Sequence, residues 1–190
     1  MDELELIAAC QEHSLVAQKM LYKRYAPMLR GVCTRYMKNE EDAKDVLQDA
    51  FVEIYKCIPQ YSGQGVFVGW LKKVVIHTAI DYIRKQRKYK HESLMDESIY
   101  EDETTEEALY LKLLDMPDYE AQLLHALQAL PVILSAVFNM FYIDDLSHKE
   151  IAALLKIDEV TSRTRLNRAR QMIKDNLMKI INVPTYERSA

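Results

Sequence analysis

The chain has 190 residues, 49% of them hydrophobic and 28% charged, with a formal net charge of −4 at pH 7. This length and apolar content allow one medium-sized hydrophobic core or two small ones. The first ten residues, MDELELIAAC, are acidic and no apolar run approaches the length of a membrane span, which argues against a secretion signal and against membrane insertion.

Glycine and proline are scarce, with four and five residues respectively, and alternating β-branched runs are few, so the composition predicts an all-α protein. The three cysteines, Cys10, Cys33 and Cys57, are widely spaced among apolar helical positions, which favours buried thiols in a reducing cytoplasm. The five histidines show no metal-ligand spacing, and the sequence contains no glycine-rich phosphate loop and no nucleophile motif. We therefore expect no catalytic residues, no metal and no cofactor.

Two helices are predicted in the first part of the chain. Leu4–Ala9 forms a short helix, and Ser14 caps a longer one. Pro27 lies inside the longer helix and predicts a kink or a break, because proline removes an amide donor and crowds the preceding turn. The apolar face of this helix consists of Val16, Met20, Tyr25, Leu29, Val32 and Tyr36.

A third helix, after Asn39, has two distinct faces. Its wide apolar face consists of Ala43, Val46, Leu47, Ala50, Phe51, Ile54 and Tyr55. Its second face is acidic apart from one valine and consists of Asp45, Gln48, Asp49, Val52 and Glu53. From spacing alone, a solvated helix surface with a stray valine explains this second face.

A glycine-containing loop, YSGQG, is followed by a basic helix. From Val68 to His91 there are seven Lys or Arg and one acidic residue, which favours nucleic-acid binding over an ordinary solvated surface. The predicted core face consists of Phe67, Trp70, Leu71, Val74 and Tyr82. The predicted polar face, at spacings of three and four, consists of Lys73, His77, Asp81, Arg84 and Lys88.

The composition then reverses. From Glu92 to Glu120 there are eleven acidic residues and a single base, Lys112. Without this stretch the rest of the chain is basic, so the acidic pI conceals two basic modules. We predict two small helical domains, residues 1–91 and 119–190, joined by an acidic linker at residues 92–118.

The C-terminal domain contains the pattern of a helix-turn-helix. Ser147 and Glu150 form a capping box at the start of one helix, and Asp158 caps a second helix that begins near Glu159. The second helix turns inward Leu166, Ala169, Ile173, Leu177 and Ile180. It turns outward Thr161, Arg163, Arg165, Arg168, Arg170 and Lys174.

This unit is basic within an acidic protein, with eight Lys or Arg and four acidic residues from Ser147 to Lys179. Such a surface suits phosphate, and a second helix set across a first can enter the major groove. An ordinary helical hairpin with a solvated charged face is the alternative. We expect the DNA-binding side chains to be Ser147, Thr161, Ser162, Arg163, Arg165 and Arg168.

The stretch LPVILSAVFNMFYIDDLSHKEIAALLKIDEVTSRTRLNRAR resembles the C-terminal promoter-reading domain of an extracytoplasmic-function sigma factor. The segment EEDAKDVLQDAFVEIY is similar to the one by which sigma factors dock on a coiled coil of the largest subunit of core RNA polymerase. The resemblance implies that Asp45, Gln48 and Asp49 are the polymerase-binding positions. Carboxylates can form charge-assisted bonds to arginines there while a small apolar residue packs between them.

The basic helix resembles the sigma region that recognises and opens the minus-ten promoter element. The resemblance implies that the loop Ser62–Val66 lies near an extruded base of the non-template strand, and that the basic helix follows that strand. The DNA-binding side chains of this helix would then be Lys73, His77, Arg84 and Lys88. The C-terminal domain would read the minus-thirty-five element.

The resemblance therefore implies a sigma factor that binds core RNA polymerase and promoter DNA, and that an anti-sigma factor can hold. Two other functions remain open: a helix-turn-helix regulator that does not dock on polymerase, and an adaptor that touches no DNA. The chain departs from the usual family pattern at four positions, so its promoter sequence does not follow from the resemblance. Those positions are His77, Ser135, Lys156 and Val160, where the family commonly has Asn, Arg, Gly and Gly.

Overall fold

The computed structural model describes residues 1–90 and 119–182, with side chains described for 1–86, 121–122 and 125–179. Within these ranges all regular structure is helical, which confirms the predicted all-α class for the described residues. The chain divides into two compact units, Met1–Lys90 and His91–Ala190. The predicted acidic linker, 92–118, lies outside the described residues. No helix in the described part is both long and apolar enough to cross a membrane.

The first unit consists of four α-helices and one 3₁₀ turn. Helices α2, α3 and α4 pack against one another, and α1 packs on α2 and on the 3₁₀ turn that follows α3. The elements are α1 Glu3–Gln11, α2 Leu15–Tyr36, α3 Glu40–Cys57, the turn Ile58–Gln60 and α4 Phe67–Lys90.

Helix α2 continues through Pro27, so of the two predicted outcomes, a kink or a break, the break is wrong. Proline inside a helix costs about 3 kcal/mol. Tyr25, Ala26 and Leu29 are buried on either side of it, and their packing holds the two halves in one helix. The predicted apolar face of α2 also begins too early, because Val16 is 70% exposed and Ala17 is buried instead.

Helix α4 buries a wider stripe than its sequence predicted. Phe67 and Leu71 are buried as expected, whereas Trp70, Val74 and Tyr82 are only partly buried. Because α4 packs against both α2 and α3, its buried face extends to further positions on the helix. These additional buried residues are Val75, Ile76, Ala79, Ile80 and Ile83.

The cysteines are free thiols, as expected. Cys10 and Cys33 are fully buried and Cys57 is partly buried. Burial raises the pKa of Cys10, and it raises the pKa of Cys33 to about 12, because the apolar surroundings disfavour the charged thiolate.

The second unit has four described helices, and the first three pack against the last one. Helix α8 packs against α5, α6 and α7, and α6 also packs on α7. Fully buried side chains at the centre include Leu130, Leu134, Met140 and Ile151. The helices are α5 Tyr119–Gln128, α6 Val132–Tyr142, α7 His148–Leu155 and α8 Glu159–Asn182.

Candidate docking and nucleic-acid surfaces

The acidic face of α3 is exposed. Asp45, Gln48 and Asp49 point to solvent, and Val52, one turn after Gln48, is 50% exposed. Within the described residues none of the three polar side chains takes part in a hydrogen bond or an ion pair. Their hydrogen-bonding capacity is therefore available to another molecule.

Two other acidic residues of α3, Glu53 and Asp42, are bonded inside the unit. Glu53 forms an ion pair with Lys56, at 2.6 Å between Oε1 and Nζ. Asp42 accepts from the Asn39 amide at 3.0 Å and from the Tyr82 hydroxyl, and this bond to Asp42 raises the pKa of Tyr82. The Asp42–Tyr82 bond joins the start of α3 to the second half of α4.

Among the described residues, the polar face of α4 contains both unpaired and paired side chains. Lys73 and His77 are exposed, four residues apart. Arg84 lies on the same side of the helix and forms an ion pair with Asp81 at 2.8 Å. The Lys88 side chain lies outside the described residues.

The loop before α4 is open to solvent. Gly63 and Gly65 have φ angles of 76° and 80°, in the left-handed region that favours glycine. Ser62 and Gln64 are exposed, and Val66 is 76% exposed. The Tyr61 hydroxyl donates to the Gly65 carbonyl at 3.2 Å.

The helix-turn-helix connection follows the predicted caps. Ser147 and Glu150 form the reciprocal capping box of α7, with the Ser147 amide donating to Glu150 Oε2 at 2.9 Å. Lys156 ends α7 in the left-handed conformation, at φ 55° and ψ 51°. Asp158 accepts from the Thr161 amide at 2.6 Å, and this bond lowers the pKa of the Asp158 carboxyl.

The N-terminal half of α8 carries the predicted arginines. Arg163 and Arg168 are exposed, while Thr161 and Arg165 are partly buried. Arg163 forms an ion pair with Glu159 at 3.3 Å. The other basic residues of α8 up to Lys174 each interact with another group of the chain: Arg165, Arg168, Arg170 and Lys174.

Ser162, one of the predicted DNA-binding side chains, does not belong to the exposed face of α8. Its side chain is fully buried, and its Oγ lies 3.0 Å from His148 Nδ1. The His148 ring also stacks on Phe141, with ring centroids 4.8 Å apart. The signal was present in the sequence, because Ser162 precedes Leu166 by four residues and so extends the inward stripe of α8.

Sequence reasoning missed Gln11 altogether. Its side-chain amide donates to the Ile58 and Tyr61 carbonyls at 3.2 and 3.0 Å. These partners are 47 and 50 residues away along the chain, and no local pattern links them. Among the described residues no cluster of His, Cys, Asp and Glu is suited to hold a metal ion.

Comparison with known proteins gives two family matches. Residues 21–89 match sigma-70 region 2, and residues 120–173 match sigma-70 region 4. The chain is 26% identical over 184 residues to the ECF RNA polymerase sigma-E factor of Haemophilus influenzae, covering 93% of this chain and 95% of that protein. It is 27% identical over 183 residues to the sigma-E factor of Escherichia coli K12, covering 93% and 94%.

A solved structure has a similar fold. The sigma factor RpoE of Bartonella quintana, crystallised with the anti-sigma factor NepR, matches with a TM-score of 0.52 at 18% identity. The match covers 85% of this chain and 96% of that one.

Proposed function

We propose a division of labour for this chain, which belongs to the extracytoplasmic-function sigma factors of the sigma-70 family. The chain is not an enzyme; it directs RNA polymerase in the initiation of transcription. In our proposal the first domain, residues 1–91, docks on core polymerase and opens the minus-ten element. The second domain, residues 119–190, reads the minus-thirty-five element, and the acidic linker at 92–118 joins them in the cytoplasm.

Polymerase docking is assigned to the exposed face of α3. Asp45 and Asp49 are carboxylates on one side of a helix with Gln48 beside them, and Val52 adds an exposed apolar surface. Arginines on a partner helix can bond to such carboxylates while the valine packs against that helix. The observation that carries this assignment is that Asp45 and Asp49 are unpaired among the described residues, whereas Asp42 and Glu53 of the same helix are bonded.

Strand capture is assigned to α4 and the loop before it. Exposed Lys73 and His77 supply a polar track for a DNA backbone, with Arg84 and Lys88 further along the helix. The open loop Ser62–Val66 is offered to an unstacked base. A basic track beside such a loop is the arrangement that holding one strand of an opened duplex requires.

Reading of the upstream element is assigned to α7 and α8. Thr161, Arg163, Arg165 and Arg168 belong to the first turns of α8, and Ser147 lies at the start of α7. A recognition helix typically presents the residues near its N-terminus to base edges, while the preceding helix crosses the DNA backbone. Arginines at such positions can bond to guanine or to phosphate.

We also propose that an anti-sigma factor holds this chain. The support is the Bartonella quintana relative of the same fold, which was solved with its anti-sigma factor NepR.

The test is transcription by purified components. Core polymerase with this chain is expected to start RNA synthesis at discrete genomic sites. A variant with Asp45→Arg and Gln48→Ala is expected to lose this activity while still binding DNA through its second domain. DNA binding without any effect on core polymerase would support a regulator that does not dock. Polymerase binding without specific initiation would support an adaptor.

A further inference from the structure

The shape of the loop Ser62–Val66 depends on residues that lie outside the loop. A Cβ added at Gly63 or at Gly65 would meet no atom within 4 Å, so neither position is packed against the rest of the unit. The loop residues are all exposed. Its shape therefore depends on the left-handed backbone at the two glycines and on whatever anchors its ends.

The first anchor comes from α1. Gln11 uses its side-chain amide to donate to two backbone carbonyls, of Ile58 at 3.2 Å and of Tyr61 at 3.0 Å. These carbonyls lie at the start of the 3₁₀ turn and directly before the loop. Both bonds are partly buried, where water competes less for the carbonyl oxygens.

Helix α1 is itself held firmly. Leu6, Ile7 and Cys10 are buried, the Tyr25 hydroxyl bonds to Glu3 at 2.7 Å, and Arg24 donates to the Met1 carbonyl at 3.0 Å. Helix α1 precedes the part of the chain that matches sigma-70 region 2, which begins at residue 21. Gln11 thus connects the start of the loop to α1, a helix that lies outside the matched region.

The second anchor is Tyr61. Its ring lies 5.2 Å from the Phe67 ring and 5.1 Å from the Trp70 ring, so it is fixed against the first turn of α4. Its hydroxyl donates to the Gly65 carbonyl at 3.2 Å and closes the loop across four residues. One side chain therefore connects both ends of the loop to the core.

We propose that Gln11 and Tyr61 are positioning residues that hold the loop 62–66 in the shape that receives an unstacked promoter base. The inference rests on the proposed role of this loop in strand capture. A loop ordered before the base arrives loses less conformational entropy on binding than one that must order itself around the base. Gln11 would act through the backbone that leads into the loop, because its side-chain Nε2 donates to the carbonyls of Ile58 and Tyr61.

The test measures base capture by holoenzyme made with the full chain. The DNA is a pre-opened promoter fragment in which each non-template position of the minus-ten element is replaced in turn by an abasic site. Wild-type holoenzyme is expected to bind the intact fragment more tightly than one particular abasic fragment. This ratio of affinities isolates the captured base from all other contacts.

Gln11→Leu is expected to reduce the ratio of intact to abasic affinity by roughly fivefold, because the loop then loses conformational entropy when it becomes ordered on binding. Tyr61→Phe, which keeps the ring and removes only the hydroxyl, is expected to reduce it less. Gln18→Leu is the matched control, because Gln18 is a partly buried glutamine on α2 whose side chain forms no hydrogen bond with the loop among the described residues. A thermal melt of each variant shows whether the unit remains folded.

Gly63→Ala distinguishes a failure of the positioning role from a failure of base capture by the loop. It forces a side chain into a left-handed backbone position without any clash, so it disturbs the loop directly. A lowered ratio with Gly63→Ala but an unchanged ratio with both Gln11→Leu and Tyr61→Phe would overturn the positioning role and leave strand capture intact. If wild-type holoenzyme binds every abasic fragment as tightly as the intact one, the loop captures no base and the proposed function of the loop fails with it.

Discussion

The exposed face of α3 and the exposed face of α8 are both charged, but they differ in how their charges are used in the isolated chain. Asp45 and Asp49 have no hydrogen-bond or ion-pair partner among the described residues. On α8, Arg163 is paired with Glu159, and Arg165 and Arg168 interact within the chain. In the proposed complexes, a partner of α3 meets carboxylates that are unpaired among the described residues, whereas DNA has to compete with the ion pair between Arg163 and Glu159. An exposed pair of this kind contributes at most about 1 kcal/mol.

The largest expected effect is at the docking face. Asp45→Arg together with Gln48→Ala should weaken binding to core polymerase by about 3 kcal/mol, more than a hundredfold, because the new cation would face the partner's own cations. The change should leave the thermal melt as it is, since both side chains are exposed. Affinity is measured by titrating labelled chain with core polymerase.

Glu12→Arg is the control for the net-charge change, because Glu12 is an exposed acid at the end of α1. Equal affinity of wild type and the double variant would remove the docking assignment. Equal losses of affinity in the double variant and in Glu12→Arg would show that only the overall charge of the chain matters.

The next effect is at α8. Arg165→Ala and Arg168→Ala should each weaken binding to the upstream promoter element by about 1–3 kcal/mol where the arginine reads a base, and by less where it contacts phosphate. Holoenzyme binding is measured on the upstream element and on a scrambled duplex over a range of salt concentrations. Lys179→Ala, near the C-terminal end of the same helix, is the matched control.

An equal loss on both duplexes, with a shallower salt dependence, would show that the arginine contacts phosphate only. In that case base recognition would have to come from other positions of the first turns, such as the exposed Arg163 and Thr164.

A smaller effect is expected inside α8. Ser162→Ala should lower the free energy of unfolding of the second unit by about 1 kcal/mol, because it removes the bond to His148. The ratio of promoter to scrambled-DNA affinity should stay the same, since the side chain is buried and does not belong to the exposed face of α8. Urea denaturation and the duplex titration measure the two quantities. A changed ratio with unchanged stability would restore Ser162 to the DNA surface.

The smallest effect concerns the cap of α8. The Thr161 amide lowers the pKa of Asp158 in the folded chain, so the carboxylate adds stability above its unfolded pKa and that stability is lost as the pH falls through the folded pKa. Asp158→Asn keeps a capping oxygen but does not titrate. Its unfolding free energy should therefore fall less steeply than that of wild type below about pH 4. Identical acid limbs would show that Asp158 does not contribute to the pH dependence.

The parts of the fold that depend on neighbouring residues could be predicted from the sequence. Ser147 with Glu150, and Asp158 with Thr161, are three residues apart, so their caps follow from local geometry. The same holds for the exposed acids of α3. The fate of Pro27 could not be predicted, because it depends on how tightly α2 packs on two other helices. The bonds of Gln11 also depend on the tertiary fold, since they join residues about fifty positions apart.

The buried cysteines have a consequence for oxidant chemistry. Because burial raises the pKa of Cys33 to about 12, its thiol stays protonated at neutral pH. Peroxides and disulfides react with the thiolate, and they must also reach the sulfur, which is fully buried. We therefore expect Cys33 to react very slowly with oxidants while the unit is folded. The core of the first unit keeps its packing in conditions that modify exposed thiols.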